Sequence, residues 1–150
     1  MISISIKQLI VGTLGNIATS IWFIPFFSNF IHKLRGVKFR NFLNVFIGRD
    51  VIIDNRYPNL INIESGVVIA PRVMIISHSC VPKNNIVIGK EEIKKPVHIG
   101  KNVFIGANSI ILPGSYISEG CYVAAGSVVS GRFKKNSLIA GNPANVKRNI

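Results

Sequence analysis

The chain has 150 residues, enough for one compact domain, and its 48% hydrophobic residues exclude an intrinsically disordered protein. It carries 18 lysines and arginines against 6 acidic residues, a formal net charge of +12, so its surface should attract an anionic partner such as a phosphorylated ligand or anionic lipid. A nucleic acid is not the expected partner, because the sequence has no DNA- or RNA-binding motif and no aromatic-basic stacking platform.

The first 43 residues form an apolar and basic arm that we expect to be helical. Residues 8–31 contain no charged side chain and are long enough to cross a bilayer, although Pro25 and several small polar residues dilute the stretch. Three interpretations stay open: a helix packed against the rest of an oligomer, a helix in the membrane interface, and a true span. The basic cluster at 33–40 favours the interface, where residues 8–40 would contact anionic lipid.

Residues 44–130 carry a repeat of aliphatic residues with a period of six. The members are Ile47, Ile53, Ile63, Ile69, Ile75, Ile99, Ile105, Ile111, Ile117, Val123 and Val129. Neither a helix, with a period of 3.6, nor the alternating strand of a sandwich has this spacing. It predicts short strands joined by tight corners, with each aliphatic pointing into a narrow prism built of stacked parallel coils.

Two segments depart from this repeat. Extra residues intrude around 56–58, and the polar, basic stretch 79–96 has no place in the aliphatic ladder, so we expect an excursion loop there. The tail 131–150 follows the last coil. Because an end coil leaves backbone groups unpaired, we expect the arm and the tail to cap the stack.

These segments resemble the hexapeptide-repeat acyltransferases, in particular the maltose and galactoside acetyltransferases and the polysaccharide O-acetyltransferases. The resemblance covers about residues 36–148. It is carried by IGRDVIID at 47–54, VHIGKNVFIGANSIILPGSYI at 97–117, VAAGSVVSG at 123–131 and the ending IAGNPANVKR at 139–148. It implies a mainly β fold, a single-stranded left-handed parallel β-helix, and a homotrimer with active sites between neighbouring subunits. It also implies acetyl-CoA as acyl donor and no metal.

His78 is the candidate catalytic residue, because it directly precedes the excursion loop, where the family has its histidine. Histidine changes charge near neutral pH and can take the proton of a hydroxyl that attacks a thioester. The family often has an acidic residue or proline next, but this chain has Ser79, so the group that orients the imidazole stays open between a main-chain carbonyl and Glu91 or Glu92. His98 and His32 are weaker catalytic candidates.

The resemblance also assigns residues to coenzyme A. Two repeat corners are expected to contact the pantetheine of CoA, and one serine lies further along the same binding groove. The basic tail is expected to contact the phosphates, so residues 131–150 are interpreted as a CoA-binding tail. In chain order these residues are Phe104, Gly106, Ala107, Ala125, Gly126, Ser130, Lys147 and Arg148. Arginine suits phosphate because its planar fork of donors matches the phosphate oxygens.

The expected function is O-acetylation of a sugar, in a surface polysaccharide or a lipid-linked precursor. A soluble small acceptor is one alternative, and a non-catalytic β-helix scaffold is another. A zinc anhydrase on the same fold is disfavoured, because a zinc site needs about three ligands and only three histidines are present. Cys80 and Cys121 are too few for a disulfide framework, and free thiols are typical of a reducing compartment, so a cytoplasmic protein, peripheral on the membrane if the arm binds lipid, is expected.

Overall fold

The computed structural model describes residues 5–80 and 92–150 and contains two N-terminal helices followed by stacked coils of short strands. The helices are α1 (Ile6–Ser20) and α2 (Pro25–Leu34), with 3₁₀ turns at Phe42–Asn44 and Pro58–Leu60. The strands are β1 (Lys38–Phe39), β2 (Phe46–Ile47), β3 (Ile52–Ile53), β4 (Ile61–Ile63), β5 (Val68–Ile69), β6 (Met74–Ile75), β7 (His78–Cys80), β8 (Glu92–Lys94), β9 (Val97–Ile99), β10 (Phe104–Ile105), β11 (Ile110–Ile111), β12 (Tyr116–Ile117), β13 (Tyr122–Val123), β14 (Val128–Val129), β15 (Arg132–Phe133), β16 (Ser137–Gly141) and β17 (Ala144–Asn149).

The coils have three faces, because successive strands join three different sheets in turn. Sheet A contains β1, β4, β9, β12 and β15, sheet B contains β2, β5, β10, β13, β16 and β17, and sheet C contains β3, β6, β11 and β14. Pairing between coils is parallel, and three hexapeptides, or 18 residues, separate Phe104 from its partner Tyr122. The prediction of a mainly β fold made of parallel coils is confirmed.

The core is the aliphatic ladder inside the coils. Every ladder residue from Ile47 to Val129 is at most 2% exposed, and Phe133 and Ile139 continue the column at its C-terminal end. Serines at the corners are also buried, and the hydroxyls of Ser115 and Ser127 each donate to a backbone carbonyl within the same turn. The burial of every ladder residue confirms the predicted ladder. The hydroxyls at these two corners are hydrogen-bonded as well.

The arm is a pair of helices. Ser5 caps the start of α1 through a capping box with Gln8, and Pro25 opens α2, where a missing N–H is tolerated. The Ser28 hydroxyl donates to the Ala18 carbonyl at 2.9 Å, and Asn29 Nδ2 donates to the carbonyls of Phe42 and Val45, which fixes α2 on the first coil. Among the described residues, no helix has both the length and the apolar character needed to cross a membrane.

The parallel pairing starts earlier and ends later than the predicted 44–130. Residues 38–39 pair with β4 and residues 132–133 pair with β12 on sheet A, and β16 then pairs in parallel with β13 on sheet B. The tail then folds back, since β16 and β17 form an antiparallel hairpin around Gly141. The predicted excursion 79–96 leaves the coil as the antiparallel pair β7–β8, and its residues 81–91 lie outside the described residues.

Candidate functional site

His78 lies at the corner that follows sheet C, and its imidazole bonds a carboxylate from the neighbouring coil. Its Nδ1 is 2.6 Å from Oδ2 of Asp54. Parallel pairing brings the two residues together, because Ile53 lies beside Ile75 and both strands are followed by the same corner of the coil. The Asp54 side chain has no exposed surface, whereas 27% of the His78 side chain is exposed. The Nδ1 edge of the ring is therefore anchored in the protein, and part of the side chain is accessible.

The Asp54 carboxylate is held by several further donors. Oδ2 accepts from both the backbone N–H and the hydroxyl of Ser77, and Oδ1 accepts from the backbone N–H groups of Arg56 and Tyr57. Burial alone raises the pKa of Asp54, but the hydrogen bonds from His78, Ser77 and Tyr57 together lower its pKa to about 2. Asp54 is therefore ionised at neutral pH.

This ionisation fixes which imidazole nitrogen carries a proton. A carboxylate can only accept hydrogen bonds, so Nδ1 of His78 must be the donor. Nε2 then has the lone pair and can accept a proton from a bound hydroxyl. The pair has the form of a general base oriented by a buried acid.

A second set of polar side chains lines the same corner. The Tyr57 ring lies edge-on to the His78 ring with centroids 5.5 Å apart, and its hydroxyl donates to Glu92 at 2.6 Å. Glu92 also pairs with Arg56 at 3.0 Å and Lys94 at 3.3 Å. The base of the excursion hairpin thus packs against the ring that flanks His78.

Arg35, at the end of α2, supports the Asp54 segment from behind. Its guanidinium is 4% exposed and donates to the carbonyl of Ile53 and, at 2.8 Å, to Oδ1 of Asn55. Its Nε donates to Nδ1 of His32 at 3.0 Å. These bonds hold the residues on both sides of Asp54, so the helical arm is attached to the site.

The group that bonds Nδ1 of His78 is Asp54, which was not among the three candidates raised from the sequence. Glu92 bonds Tyr57 instead of His78, Glu91 lies outside the described residues, and the carboxylate of Asp54 takes the place considered for a main-chain carbonyl. Asp54 could not be found from the sequence pattern, because it lies 24 residues before His78, on the neighbouring coil. The available signal was the ladder itself, which puts Ile53 and Ile75 in the same column.

The residues predicted for pantetheine lie together at a different corner, the one that follows sheet B. Gly106 donates to the Val123 carbonyl at 2.8 Å, and Gly126 donates to the Ala107 carbonyl at 2.8 Å, so two neighbouring coils contribute. Phe104 stacks on Tyr122 with centroids 4.6 Å apart. A groove of about 490 Å³ borders Ala107 and is also lined by Arg49 and Arg72, two cations absent from the sequence prediction.

Two of these glycines have local reasons for being glycine. A Cβ on Gly106 would lie 2.5 Å from the backbone nitrogen of Ala125, so the coils could not approach each other. Gly126 has a φ of +69° with open space around it, so its backbone is exposed in a conformation that other residues rarely adopt. An exposed backbone at Ala125 and Gly126 can bond an extended ligand.

The remaining predicted residues are distributed between two places. Ser130 follows the sheet C strand β14 and so lies on the same corner column as His78, whereas Lys147 and Arg148 are exposed on β17, the last strand of sheet B. His78 and the pantetheine residues therefore occupy different corners of one chain. The chain alone does not bring the candidate base to the candidate donor site.

The other histidines and Cys121 lie away from His78, whereas Cys80 ends the strand that begins with His78. His98 stacks on Tyr116 on the outer surface of sheet A, and His32 is buried, with burial first and Arg35 second lowering its pKa to about 3. Cys80 is exposed, and Cys121 is buried with its thiol donating to the Lys134 carbonyl. Within residues 5–80 and 92–150, no three histidine, cysteine or acidic side chains are grouped as metal ligands.

Comparison with known proteins identifies the repeat. Residues 96–131 match the family described as bacterial transferase hexapeptide (six repeats). A maltose O-acetyltransferase from Clostridium difficile 630 is 20% identical with a TM-score of 0.64, covering 97% of this chain and 89% of that one. A galactoside acetyltransferase in complex with coenzyme A is 19% identical with a TM-score of 0.65, covering 99% and 85%.

A third structure is more similar in sequence. The hexapeptide-repeat-containing acetyltransferase of Vibrio cholerae O1 biovar eltor, complexed with acetyl coenzyme A, is 30% identical over 70% of this chain, with a TM-score of 0.63. This chain spans 56% of that protein. No curated protein matches the chain. The predicted resemblance to hexapeptide-repeat acyltransferases is confirmed, and the comparisons support an acyltransferase.

Proposed function

We propose that this protein transfers an acetyl group from acetyl-CoA to a sugar hydroxyl, with His78 as general base. The observation that carries the proposal is the 2.6 Å bond between His78 Nδ1 and the buried carboxylate of Asp54, on coils stacked directly beside the matched transferase repeat at 96–131. A neutral imidazole with its Nδ1 proton fixed by an anion is the form a base needs at neutral pH.

The reaction follows from this geometry. The acceptor oxygen attacks the thioester carbon while its proton passes to Nε2 of His78, forming a tetrahedral intermediate. The carbon–sulfur bond then breaks, and the imidazolium returns the proton to the departing CoA sulfur. Asp54 stays ionised throughout and stabilises the transient imidazolium, which raises the rate without a further proton transfer.

The donor fits the corner that follows sheet B. Two of the similar structures contain coenzyme A or acetyl-CoA. In this chain the exposed backbone at Ala125 and Gly126 suits pantetheine, and the exposed cations Lys147 and Arg148 suit the phosphates. Acetyl-CoA is a substrate here, and no metal is required for thioester cleavage by this route.

We further infer a left-handed coil assembled as a homotrimer, with each active site shared between two subunits. The placement of His78 on one corner and Ala107 on another supports this, because only a second copy can present the donor corner to the base. Cyclic assembly of identical chains repeats the same contact at every interface. Three equivalent sites result.

A groove beside the site supports an acceptor with an apolar part. It has a volume of about 570 Å³ and extends from Ile10, Val11 and Leu14 of the arm to Tyr57, the ring that flanks His78. A soluble sugar alone leaves the apolar side of such a groove in contact with water. A lipid-linked polysaccharide precursor fills both the groove and the polar corner.

The test is thiol release from acetyl-CoA with matched acceptors. An octyl glycoside, its methyl counterpart and the corresponding amino sugar separate a lipid-linked hydroxyl, a soluble hydroxyl and an amine as nucleophile. We expect the octyl glycoside to give a kcat/KM about 10-fold or more above the methyl glycoside, since burying several CH₂ groups contributes about 0.8 kcal/mol each. Equal values would favour the soluble acceptor.

The scaffold alternative makes a different prediction in the same experiment. A non-catalytic coil would release no thiol with any acceptor, and CoA would leave its Tm unchanged. We expect CoA to raise the Tm, by an increment that grows with its concentration, because the ligand binds the folded state only. An unchanged Tm at millimolar CoA contradicts the proposed donor site.

A further inference from the structure

Helix α2 has its polar side chains inside and its aromatic side chains outside. The buried residues of α2 are Ser28, Asn29 and His32, whereas Phe26, Phe27 and Phe30 are each about half exposed. A surface helix of a soluble domain has the opposite arrangement, with its apolar side toward the core. Ser28 donates to the Ala18 carbonyl of α1 and Asn29 donates to the Val45 carbonyl of the first coil, so the orientation of α2 is fixed by the fold.

The exposed rings are contiguous. Phe26 contacts Phe27 and Phe30 with centroids 5.3 and 6.5 Å apart, and Phe42 from the following turn lies 5.8 Å from Phe26. Phe23, which is 64% exposed, lies in the turn before α2, three residues before Phe26. We call Phe23, Phe26, Phe27, Phe30 and Phe42 the aromatic face. A connected apolar surface of this kind marks a site that another apolar body covers.

Helix α1 has the same bias. Its buried residues are the small Gly15 and Ala18, and its exposed ones include Ile6, Leu9 and Ile10. Small residues allow the helix to pack closely, but they leave its large aliphatic side chains in solvent. Both helices of the arm therefore expose their most apolar side chains.

The charged side chains of the arm itself are of one sign. The first acidic residue in the chain is Asp50, so the arm carries only cations, including Lys7, Lys33 and Lys38. Lys33 Nζ lies 4.9 Å from the Phe42 ring, at the border of the aromatic face. An occupant must therefore combine apolar matter with negative charge, which is the chemistry of an anionic lipid surface.

A second copy of this chain does not supply that negative charge. Among the described residues the Asp54 carboxylate is buried against His78, and each other acidic side chain already has a cation within 4.0 Å: Asp50 with Arg49, Glu64 with Arg40, Glu92 with Arg56 and Lys94, and Glu119 with Lys135. Two aromatic faces placed together would bring the same cations against each other. Like charges in one interface disfavour that association.

We propose that the aromatic face docks on a bilayer containing anionic lipid, with Lys33 and Lys38 at the headgroups. Phenyl rings enter the boundary between headgroups and acyl chains, and the lysines remain in the headgroup layer. This inference is independent of the acetyl transfer proposed above, because it rests on the arm alone.

Vesicle co-sedimentation of the full chain tests it. We expect pelleting with vesicles of phosphatidylglycerol and phosphatidylcholine, and little with phosphatidylcholine alone. The double variant Phe27→Ser/Phe30→Ser should bind at least about 10-fold more weakly, since each ring loses its apolar burial. Lys33→Gln/Lys38→Gln should lose about 30-fold, because each cation near such a surface contributes about 1 kcal/mol.

Matched controls locate the effect. Ile52→Ser removes an exposed aliphatic side chain from sheet C, and Lys101→Gln removes an exposed cation from the coils. Both variants should bind anionic vesicles as the unmodified chain does. Sedimentation velocity without lipid should give one association state for all variants. The proposal is overturned by equal binding to neutral vesicles, by an equal loss in the controls, or by dissociation of the phenylalanine variant, which would make this face an interface between copies.

Discussion

Asp54 combines a structural and a chemical role in one carboxylate. Its oxygens accept hydrogen bonds from two segments, 56–57 and 77–78, that would otherwise bury unpaired donors at a coil corner. The lowered pKa of about 2 means that the anion persists in the folded protein well below neutral pH. The same bonds that stabilise the corner therefore keep the imidazole of His78 in one tautomer.

Asp54→Asn tests this role at the residue scale. Backbone donors bond both carboxylate oxygens, and asparagine keeps only one acceptor oxygen. With that oxygen toward Arg56 and Tyr57, its amide nitrogen faces Nδ1 of His78 and favours the tautomer with a proton on Nε2. We expect kcat to fall by about 10²-fold or more with little change in the KM for acetyl-CoA.

Ser77→Ala is the matched control for that variant. It removes one bond to the same carboxylate oxygen but leaves the bond to the imidazole, so a loss of only a few-fold is expected. If both variants lost kcat equally, Asp54 would act through the stability of the corner and not through the His78 tautomer.

Helix α2 ends in a buried histidine that should govern acid stability. The pKa of His32 is lowered to about 3, from burial first and Arg35 second, so His32 is neutral in the folded chain. The unfolded chain binds a proton at this histidine below about pH 6.5. The stability contributed by neutral His32 is thus fully present above that pH and is lost as the pH falls toward 3. The contribution of Asp54 is lost in a lower window, between about pH 4 and 2.

His32→Asn should flatten the upper part of this dependence. The asparagine oxygen can accept the Arg35 Nε–H that Nδ1 accepts now, but it does not titrate. Urea unfolding at stepped pH should show a slope smaller by up to about 1.4 kcal/mol per pH unit between pH 6 and 4. An unchanged slope in His32→Asn would mean that another group drives acid unfolding.

The elements differ in how far the sequence determines them. The ladder from Ile47 to Val129 could be predicted, because a period of six follows directly from strand and corner lengths. The partner of His78 could not, because Asp54 is 24 residues away and meets it only once the coils stack. The orientation of α2 was also hidden, since its buried side is polar and a pattern of apolar residues indicates the opposite side.

The whole molecule places the base and the donor corner apart. Within one chain, His78 follows sheet C and Ala107 and Ala125 follow sheet B. Stacked coils are rigid along their length, because the strands of the inner coils pair with a coil on either side. The two corners of one chain therefore cannot approach each other, and a shared site in the proposed trimer is the arrangement that unites them.

Subunit complementation tests the shared site. His78→Ala lacks the base, and Ala125→Glu places a bulky charge in the expected pantetheine path. A homotrimer of either variant alone should be inactive. Chains co-expressed in equal amounts should recover about a quarter of the unmodified activity, because about a quarter of the subunit interfaces combine an intact base with an intact donor corner. No recovery would mean that both groups of a site come from one chain.

The most direct measurement is turnover of His78→Ala compared with His98→Ala, by thiol release at saturating acetyl-CoA and acceptor, with CoA binding followed by the Tm shift. We expect His78→Ala to lose about 10²-fold or more in kcat while CoA still raises its Tm. His98→Ala should keep both the kcat and the Tm shift of the unmodified chain. Turnover of His78→Ala within a few-fold of the unmodified chain would contradict the assignment of His78 as the base.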